Sequence, residues 1–142
     1  MTAEDYISIV SRIADEIWTQ GNLDVCDEVM APAAPYHGPH MPNGVGDRET
    51  WRNAISMYRR AFPDSRVTYD ALHVCEDIVV GRWTATGTQT GPLPGLEPTG
   101  KPISIGGISI YRMADGKIVE TWEQLDMLGM WRQLGVVTLP GH

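Results

Sequence analysis

Residues 103–126 read ISIGGISIYRMADGKIVETWEQLD, and this segment carries the clearest structural signal in the chain. Asp115-Gly116 stands near its centre, and Asp-Gly between alternating sequences is typical of a tight β-hairpin turn. The flanks alternate with a two-residue period and predict strands at Ile103–Met113 and Lys117–Asp126. The same period predicts earlier strands at Arg66–Cys75 and Ile78–Thr90, so the second half of the chain should form a four-stranded antiparallel meander.

Helical periodicity precedes these strands. Apolar residues at three- and four-residue spacing predict helices at Ala3–Gln20, Asn22–Met30 and Arg48–Ala61, and a short helix at Met127–Leu134 closes the pattern. Helices followed by strands imply an α+β domain with the helices covering one face of the sheet. The chain of 142 residues has the usual length of one such domain, so we expect a single domain over residues 1–142.

Composition limits the classes of partner. The net charge of −7 argues against a nucleic-acid partner, because phosphate binding needs a basic surface. The sequence contains neither a run of 18 apolar residues nor a basic, apolar leader at its start, so we expect a cytoplasmic protein without a membrane partner.

A segment rich in proline and glycine, residues 32–46, is predicted to be a loop that holds His37 and His40. The His-x-x-His spacing suits a metal, but no third ligand stands near it in sequence. We therefore expect neither a metal nor an organic cofactor. One of the two histidines is expected at the rim of a pocket, and His37 is included among the candidate binding residues.

Several fragments resemble one known family, the SnoaL-like polyketide cyclases. The fragments are Ala61-Phe62-Pro63-Asp64, Val80–Thr88, Pro98-Thr99-Gly100-Lys101, Arg112, Asp115–Glu120, Trp122, Asp126 and Gln133-Leu134-Gly135. The resemblance implies a cone fold shared with nuclear transport factor and ketosteroid isomerase. In this fold helices pack on a strongly curved, mainly antiparallel sheet around an apolar pocket. It also implies ring closure by intramolecular aldol condensation, with an acidic residue as acid/base and without cofactor or metal.

The last predicted strand supplies the candidate acid/base. Alternation places Glu120, Trp122, Gln124 and Asp126 on one face and Thr121, Glu123 and Leu125 on the other. We expect the first face to line the pocket, with Asp126 as the catalytic base, because the resemblance implies an acidic residue four positions after the strand Trp. Burial of a carboxylate in an apolar pocket raises its pKa and improves it as a base near neutral pH. The alternative is that Asp126 only caps the helix that follows.

The remaining candidate substrate-binding residues surround this strand. Trp122 and Gln124 share the predicted pocket face, and Trp83 on the second strand is either pocket wall or core. Trp51 and Tyr58 lie on one side of the third helix, which we expect to face the same pocket. Two departures from the family pattern stand out. Gln89 follows Gly87-Thr88 where many members have histidine, and the strand Ile103–Met113 lacks the histidine that supports the acid/base in known cyclases.

Three functions remain open. The first is an acid/base enzyme on a carbonyl, polyketide-like small molecule, such as an aldol cyclase. The second is an epoxide hydrolase of the same fold, which would need an Asp-Arg-Asp set that Thr84 and Gln124 do not supply. The third is a non-catalytic pocket for an apolar small molecule. A homodimer through the sheet's outer face is also expected, since Ile105, Tyr111 and Ile118 are too apolar for every strand face to stay wet.

Overall fold

The computed structural model describes residues 1–141 and shows helices packed on one open sheet. The helices are α1 (Ala3–Arg12), which continues as a π-helical segment (Ile13–Thr19), then α2 (Val25–Val29), α3 (Arg48–Ala61) and α4 (Met127–Gln133). The strands are β1 (Tyr36–His37), β2 (Val45–Gly46), β3 (Arg66–Cys75), β4 (Ile78–Thr88), β5 (Pro102–Ala114) and β6 (Lys117–Leu125). A short 3₁₀ turn (Pro42–Gly44) precedes β2.

Local sequence explains where the helices begin. Thr2 and Asp5 form a capping box at the start of α1, with hydrogen bonds of 2.7 and 3.1 Å in the two directions. Asp47 caps α3 by accepting a hydrogen bond from the backbone N–H of Thr50. The long N-terminal helix predicted from periodicity is present as α1 and the segment that follows it, which has the wider π-helical turn.

The sheet has the order β2-β1-β6-β5-β4-β3. Strands β3 to β6 form the predicted antiparallel meander. The predicted loop before α3 contains two additional short strands, of which β1 pairs parallel to β6 and antiparallel to β2. Two-residue strands carry no readable period, so the sequence pattern could not reveal them. The sheet is mixed but mainly antiparallel.

Bulges curve this sheet around its core. Register shifts occur between Tyr69 and Ala71 on β3 and at Val119 on β6, opposite Arg112 and Met113, and an extra residue bends a strand and increases its twist. The main core lies between α1, the π-helical segment, α2 and the sheet, and a smaller cluster joins α4 to the β4–β5 loop. The α+β class with helices on a curved sheet is thus confirmed. No helix within residues 1–141 combines the length and the apolar character that crossing a membrane requires.

The loop between β4 and β5 is organised by Gln89, which is fully buried. Its side-chain oxygen accepts from the backbone N–H and the hydroxyl of Thr99 at 3.1 and 2.7 Å, and its amide donates to two loop carbonyls. Gln89 therefore has a structural role: its hydrogen bonds hold this loop in place, and Leu93 within the loop is buried in the smaller cluster.

Candidate active site

A cavity lies between the helices and the inner face of the sheet. About 740 Å³ of empty space lies within it when the solvent at its open mouth is counted. Most of its wall is apolar, formed by side chains such as Ile13, Trp18, Phe62, Ile103, Ile105 and Met130. The polar lining includes four tyrosines, His40 and Glu123. An apolar cleft with a few convergent polar groups is typical of a binding or catalytic site.

Glu123 is the centre of the polar lining. Tyr36 Oη donates a hydrogen bond to its Oε2 at 2.7 Å, and His40 Nε2 lies 3.0 Å from the same oxygen. Ser109 Oγ donates to the other carboxylate oxygen at 3.3 Å. The Glu123 side chain is only 10% exposed. A buried carboxylate needs such donors to compensate for lost hydration, and these three hold it in one orientation.

The strand ladder explains why these groups meet. Ser109 on β5 is the direct cross-strand partner of Glu123 on β6, and such partners lie about 4.5–5.5 Å apart at Cβ. Trp83 Nε1 donates to Ser109 Oγ at 2.9 Å, which leaves the serine hydroxyl hydrogen for Glu123. The indole reaches Ser109 by lying across Gly107, where a Cβ atom would overlap its ring. Gly107 is thus required for the close approach of Trp83.

His40 comes to the cavity from the segment between β1 and β2. Its side chain is 11% exposed, and its ring packs at 5.3 Å from that of Tyr58. The other ring nitrogen, Nδ1, is buried without a hydrogen-bond partner among residues 1–141. The contact with Glu123 favours a hydrogen on Nε2.

A second polar group in the cavity is a pair of tyrosines. The hydroxyls of Tyr69 and Tyr111 lie 2.7 Å apart, and both residues line the cavity. Desolvation raises the pKa of both phenols well above the usual value, and the negative charge of Glu123 raises them further. The same two causes raise the pKa of Tyr36 and Tyr58. All four phenols therefore remain hydrogen-bond donors at neutral pH.

The strand face predicted to line the cavity is the opposite of the observed one. Thr121, Glu123 and Leu125 point inward, whereas Trp122 and Gln124 are exposed on the outer face and Glu120 is half-buried there. The alternation is as predicted, but β6 contains one extra residue: Met113 pairs with Ile118 and Arg112 pairs with Glu120, so Val119 is bulged. A shift of one residue moves every following side chain to the other face, and the hairpin turn alone does not reveal it.

Two of the other predicted site residues line the cavity, and two lie outside it. Trp83 and Tyr58 line the cavity. Trp51 is buried in the main core, where it stacks on Tyr36 at 5.4 Å. His37 lies on the outer face, 2.9 Å from Glu120 and stacked on Trp122. Of the two histidines it is therefore His40 that reaches the cavity.

Asp126 is exposed and caps α4, accepting a 2.8 Å hydrogen bond from the backbone N–H of Gly129. It does not line the cavity. The geometry matches the helix-cap alternative, and the catalytic role of Asp126 stays a prediction. The sequence left open which of the two histidines reaches the cavity. It did not single out Glu123, Ser109 or the two paired tyrosines, because their contacts join residues on different strands and loops.

The cavity lining can be compared with two alternatives, a metal site and the active site of an epoxide hydrolase. Within residues 1–141 no group of three histidine, cysteine or acidic side chains is arranged to hold a metal ion. Glu123 is the single carboxylate of the described cavity lining, which includes no arginine. Arg82 lies on the outer face beside Asp70 at 3.7 Å. The Asp-Arg-Asp arrangement of an epoxide hydrolase is therefore not found among the described lining residues.

Residues 8–134 match the model of the SnoaL-like polyketide cyclase family. The chain belongs to this family. It is 28% identical over 138 residues to aklanonic acid methyl ester cyclase DnrD of Streptomyces peucetius, covering 91% of this chain and 90% of that protein. The structure of TsrD from Streptomyces laurentii superposes with a TM-score of 0.86 at 27% identity, covering 96% and 99% of the two chains.

Another solved relative is wild-type IdmH of Streptomyces antibioticus, a candidate polyketide cyclase, with 31% identity, a TM-score of 0.80 and coverage of 92% and 98%. In the polar cluster, Ser109 of β5 stands directly opposite Glu123 of β6. The imidazole of the cluster comes from His40, four residues after Tyr36, where β1 begins its pairing with β6.

Proposed function

We propose that this SnoaL-like protein is a cofactor-independent acid/base enzyme that closes a ring in a polyketide-like carbonyl compound by intramolecular aldol addition, with Glu123 as the base. The observation that carries the proposal is the position of Glu123. It is the single carboxylate of the described cavity lining, it is nearly buried, and it is oriented by Tyr36, His40 and Ser109. A positioned base in a water-poor cavity is the main requirement for proton transfer from carbon.

The reaction conserves atoms. Glu123 takes a proton from the carbon next to a carbonyl group, and the electron pair of that C–H bond becomes an enolate. The enolate carbon then attacks a second carbonyl of the same molecule, so one C–C bond forms as the C=O π bond breaks. The new alkoxide takes the proton back from Glu123, which returns the enzyme to its starting state. Such general acid/base catalysis contributes about 10²- to 10⁴-fold.

The cavity supports the remaining requirements. Its apolar wall offers area for an extended hydrocarbon skeleton, and Trp83 and Tyr58 contribute aromatic surfaces at either side of the polar cluster. Exclusion of water strengthens each hydrogen bond to the developing charge. The relative DnrD is named for an ester of aklanonic acid, and that compound is a rational first substrate.

The test compares Glu123→Gln with Asp126→Asn in turnover of aklanonic acid methyl ester, followed by chromatography of the cyclised isomer. Glutamine keeps the size of Glu123 but removes the base, so we expect kcat to fall at least 10²-fold. Asparagine keeps the capping of α4 by residue 126, so Asp126→Asn is expected to stay within a factor of three of the parent. The reverse result would assign the base to Asp126, as the sequence predicts.

A non-catalytic pocket is the second candidate, because the cavity is largely apolar and would bind a hydrocarbon skeleton without any reaction. Exchange of α-protons for deuterium separates the two functions. A base that removes α-protons transfers deuterium from D₂O into a bound ketone, whereas a binding protein does not. Exchange in the parent that Glu123→Gln abolishes supports the enzyme, and binding without exchange supports the pocket.

We also propose a homodimer through the outer face of the sheet. The sequence predicts this interface from Ile105, Tyr111 and Ile118, but all three are buried on the inner face. The outer face instead exposes Ile108 by 50% and Trp122 by 37%, an apolar area that a second copy would cover. Sedimentation should give a dimer that Ile108→Glu converts to a monomer. A monomeric parent at micromolar concentration would refute the interface.

A further inference from the structure

We propose that the paired hydroxyls of Tyr69 and Tyr111 form the oxyanion-binding site of the cavity and donate a hydrogen bond to the enolate oxygen that appears when Glu123 removes the α-proton. This inference rests on the function proposed for Glu123. It assigns a catalytic role to two residues whose types and positions gave no sequence signal.

The location fits a single substrate carbonyl. Tyr111 and Ser109 are successive inward residues on β5, opposite Thr121 and Glu123 on β6. Inward residues two apart on a strand are separated by about 6.5–7 Å along it. The phenol pair therefore occupies the row of the sheet next to the carboxylate, and both groups line the same cavity. A carbonyl oxygen and the hydrogen on its neighbouring carbon can then face different protein groups.

The chemistry of the pair fits an oxygen anion. A hydrogen bond between two hydroxyls uses one of the two O–H hydrogens, so the other is free to donate to Ser109 or to a bound oxygen. Desolvation raises the pKa of both phenols, which keeps them as donors rather than anions. The donor is also polarised by its partner, because consecutive hydrogen bonds in a low-dielectric site strengthen one another.

The hydrogen bond from the tyrosine pair stabilises the enolate more than it stabilises the bound ketone, because negative charge moves to the oxygen during the reaction. Before proton transfer the negative charge is on Glu123, and afterwards it is on the enolate oxygen beside the tyrosines. The hydrogen bond therefore strengthens as the reaction proceeds, which is the condition for catalysis as opposed to mere binding. Loss of one donor to an oxyanion typically costs 10²–10³-fold in kcat.

The local fold holds the pair in place. Tyr69 lies across Gly81 on β4, where an added Cβ atom would come within 2.7 Å of the tyrosine ring. The β3 bulge after Tyr69 shifts the register at this point. Tyr111 is 3% exposed and packs in the main core. Packing of Tyr69 against Gly81 and of Tyr111 in the main core therefore restrains both rings near the point where their hydroxyls meet.

The experiment uses 2-naphthol, a planar phenol whose anion mimics an enolate and absorbs at a longer wavelength than the neutral form. The binding measurement is made in Glu123→Gln protein, because the neutral amide represents the protonated Glu123 that faces the enolate. We expect the cavity to bind the naphtholate form, and we expect Tyr111→Phe and Tyr69→Phe each to weaken its binding by at least about 10-fold, the equivalent of 1.4 kcal/mol.

Two variants control this measurement. Tyr6→Phe removes a phenol hydroxyl outside the cavity lining and should leave naphtholate affinity unchanged. Tyr58→Phe removes a different hydroxyl of the lining and should have less effect than the paired residues. Equal naphtholate affinity in the Tyr111→Phe, Tyr69→Phe and Tyr6→Phe proteins, a dominant effect of Tyr58→Phe, or no naphtholate binding in Glu123→Gln would overturn the proposal. Retained turnover in Glu123→Gln alone would instead refute the function proposed for Glu123.

Discussion

Two carboxylate–imidazole pairs lie back to back across strand β6. Glu123 contacts His40 at 3.0 Å on the inner face, and Glu120 contacts His37 at 2.9 Å on the outer face. Within each residue type the two positions are three apart in sequence. The inner side chains are 10–11% exposed, whereas the outer ones are 21% and 38% exposed.

The surroundings of the two pairs differ more than their geometry. The outer carboxylate also binds the guanidinium of Arg112 at 3.0 Å, and its hydrogen bonds from His37 and then Arg112 lower its pKa. A carboxylate held as an anion by a cation at the surface is a poor proton acceptor. The inner carboxylate has hydroxyl and imidazole donors and an apolar cavity in front of it. The same two residue types thus give a surface ion pair on one side and a candidate base on the other.

The largest effect that can test this comparison is removal of the imidazoles. His40→Ala takes away a donor that orients Glu123, and hydrogen bonds to charged groups contribute about 1.5–3 kcal/mol. We therefore expect kcat for cyclisation to fall about 10- to 100-fold. His37→Ala removes the matching contact on the outer face, and turnover should stay within a factor of two.

Thermal unfolding of both histidine variants provides the control, because their turnover can be compared only if both proteins are folded. If the two variants lose activity equally while remaining folded, the division between an active inner pair and a structural outer pair is wrong. Restoration of part of the lost activity by His40→Gln, which keeps an N–H donor, would show that the donor is what matters.

The sequence predicted the elements well and the faces poorly. Alternation and the Asp115-Gly116 turn located β5 and β6 almost to the residue. Because of the bulge at Val119, each later residue of β6 points to the face opposite to the one that simple alternation from Ile118 would give. A bulge that contains no glycine cannot be recognised from the alternation of polar and apolar residues. The pocket face was predicted from the resemblance, which implies an acidic residue four positions after the strand Trp, whereas the bulge places Trp122 on the outer face and Glu123 in the cavity.

Contacts between residues far apart in the chain could not be predicted from the sequence, for a different reason. His40 and Glu123 are 83 positions apart, and they meet because β1 joins the edge of the sheet beside β6. A two-residue strand has too few side chains to show a pattern, so its pairing follows from tertiary packing. Trp83, by contrast, lies within a long regular strand, and the sequence left two positions open for it, the pocket wall or the core.

The inner and outer faces of β5 offer a second test through adjacent glycines. Gly107→Ala should destabilise the protein by about 1–3 kcal/mol, the usual cost of overpacking, because the new Cβ overlaps the Trp83 ring. Displacement of the indole also removes the donor to Ser109, so Trp fluorescence and kcat should change together. Gly106→Ala is the matched control, since the nearest atom to its Cβ is a backbone oxygen at 3.6 Å.

Denaturant unfolding of the two glycine variants decides the outcome. Gly106→Ala should be neutral or slightly stabilising, because alanine restricts the unfolded chain more than glycine does. Equal loss of stability at both positions would mean that β5 tolerates no side chain at either glycine for backbone reasons. The close packing of Trp83 on Gly107 would then have no special part in positioning Ser109.

The smallest expected effect concerns the outer pair and its dependence on pH. Hydrogen bonds from His37 and Arg112 lower the pKa of Glu120 in the folded protein. A carboxyl group with a depressed folded pKa stabilises the fold above its unfolded pKa, and this contribution is lost as the pH falls through the folded value. Glu120→Gln should therefore lower the unfolding temperature slightly at pH 7 and have less effect at acidic pH, below the folded pKa. The exposed Glu97→Gln, which removes the same charge elsewhere, is the control. Both variants should retain full turnover, and a loss of activity in Glu120→Gln alone would show that the outer pair is coupled to the cavity through β6 after all.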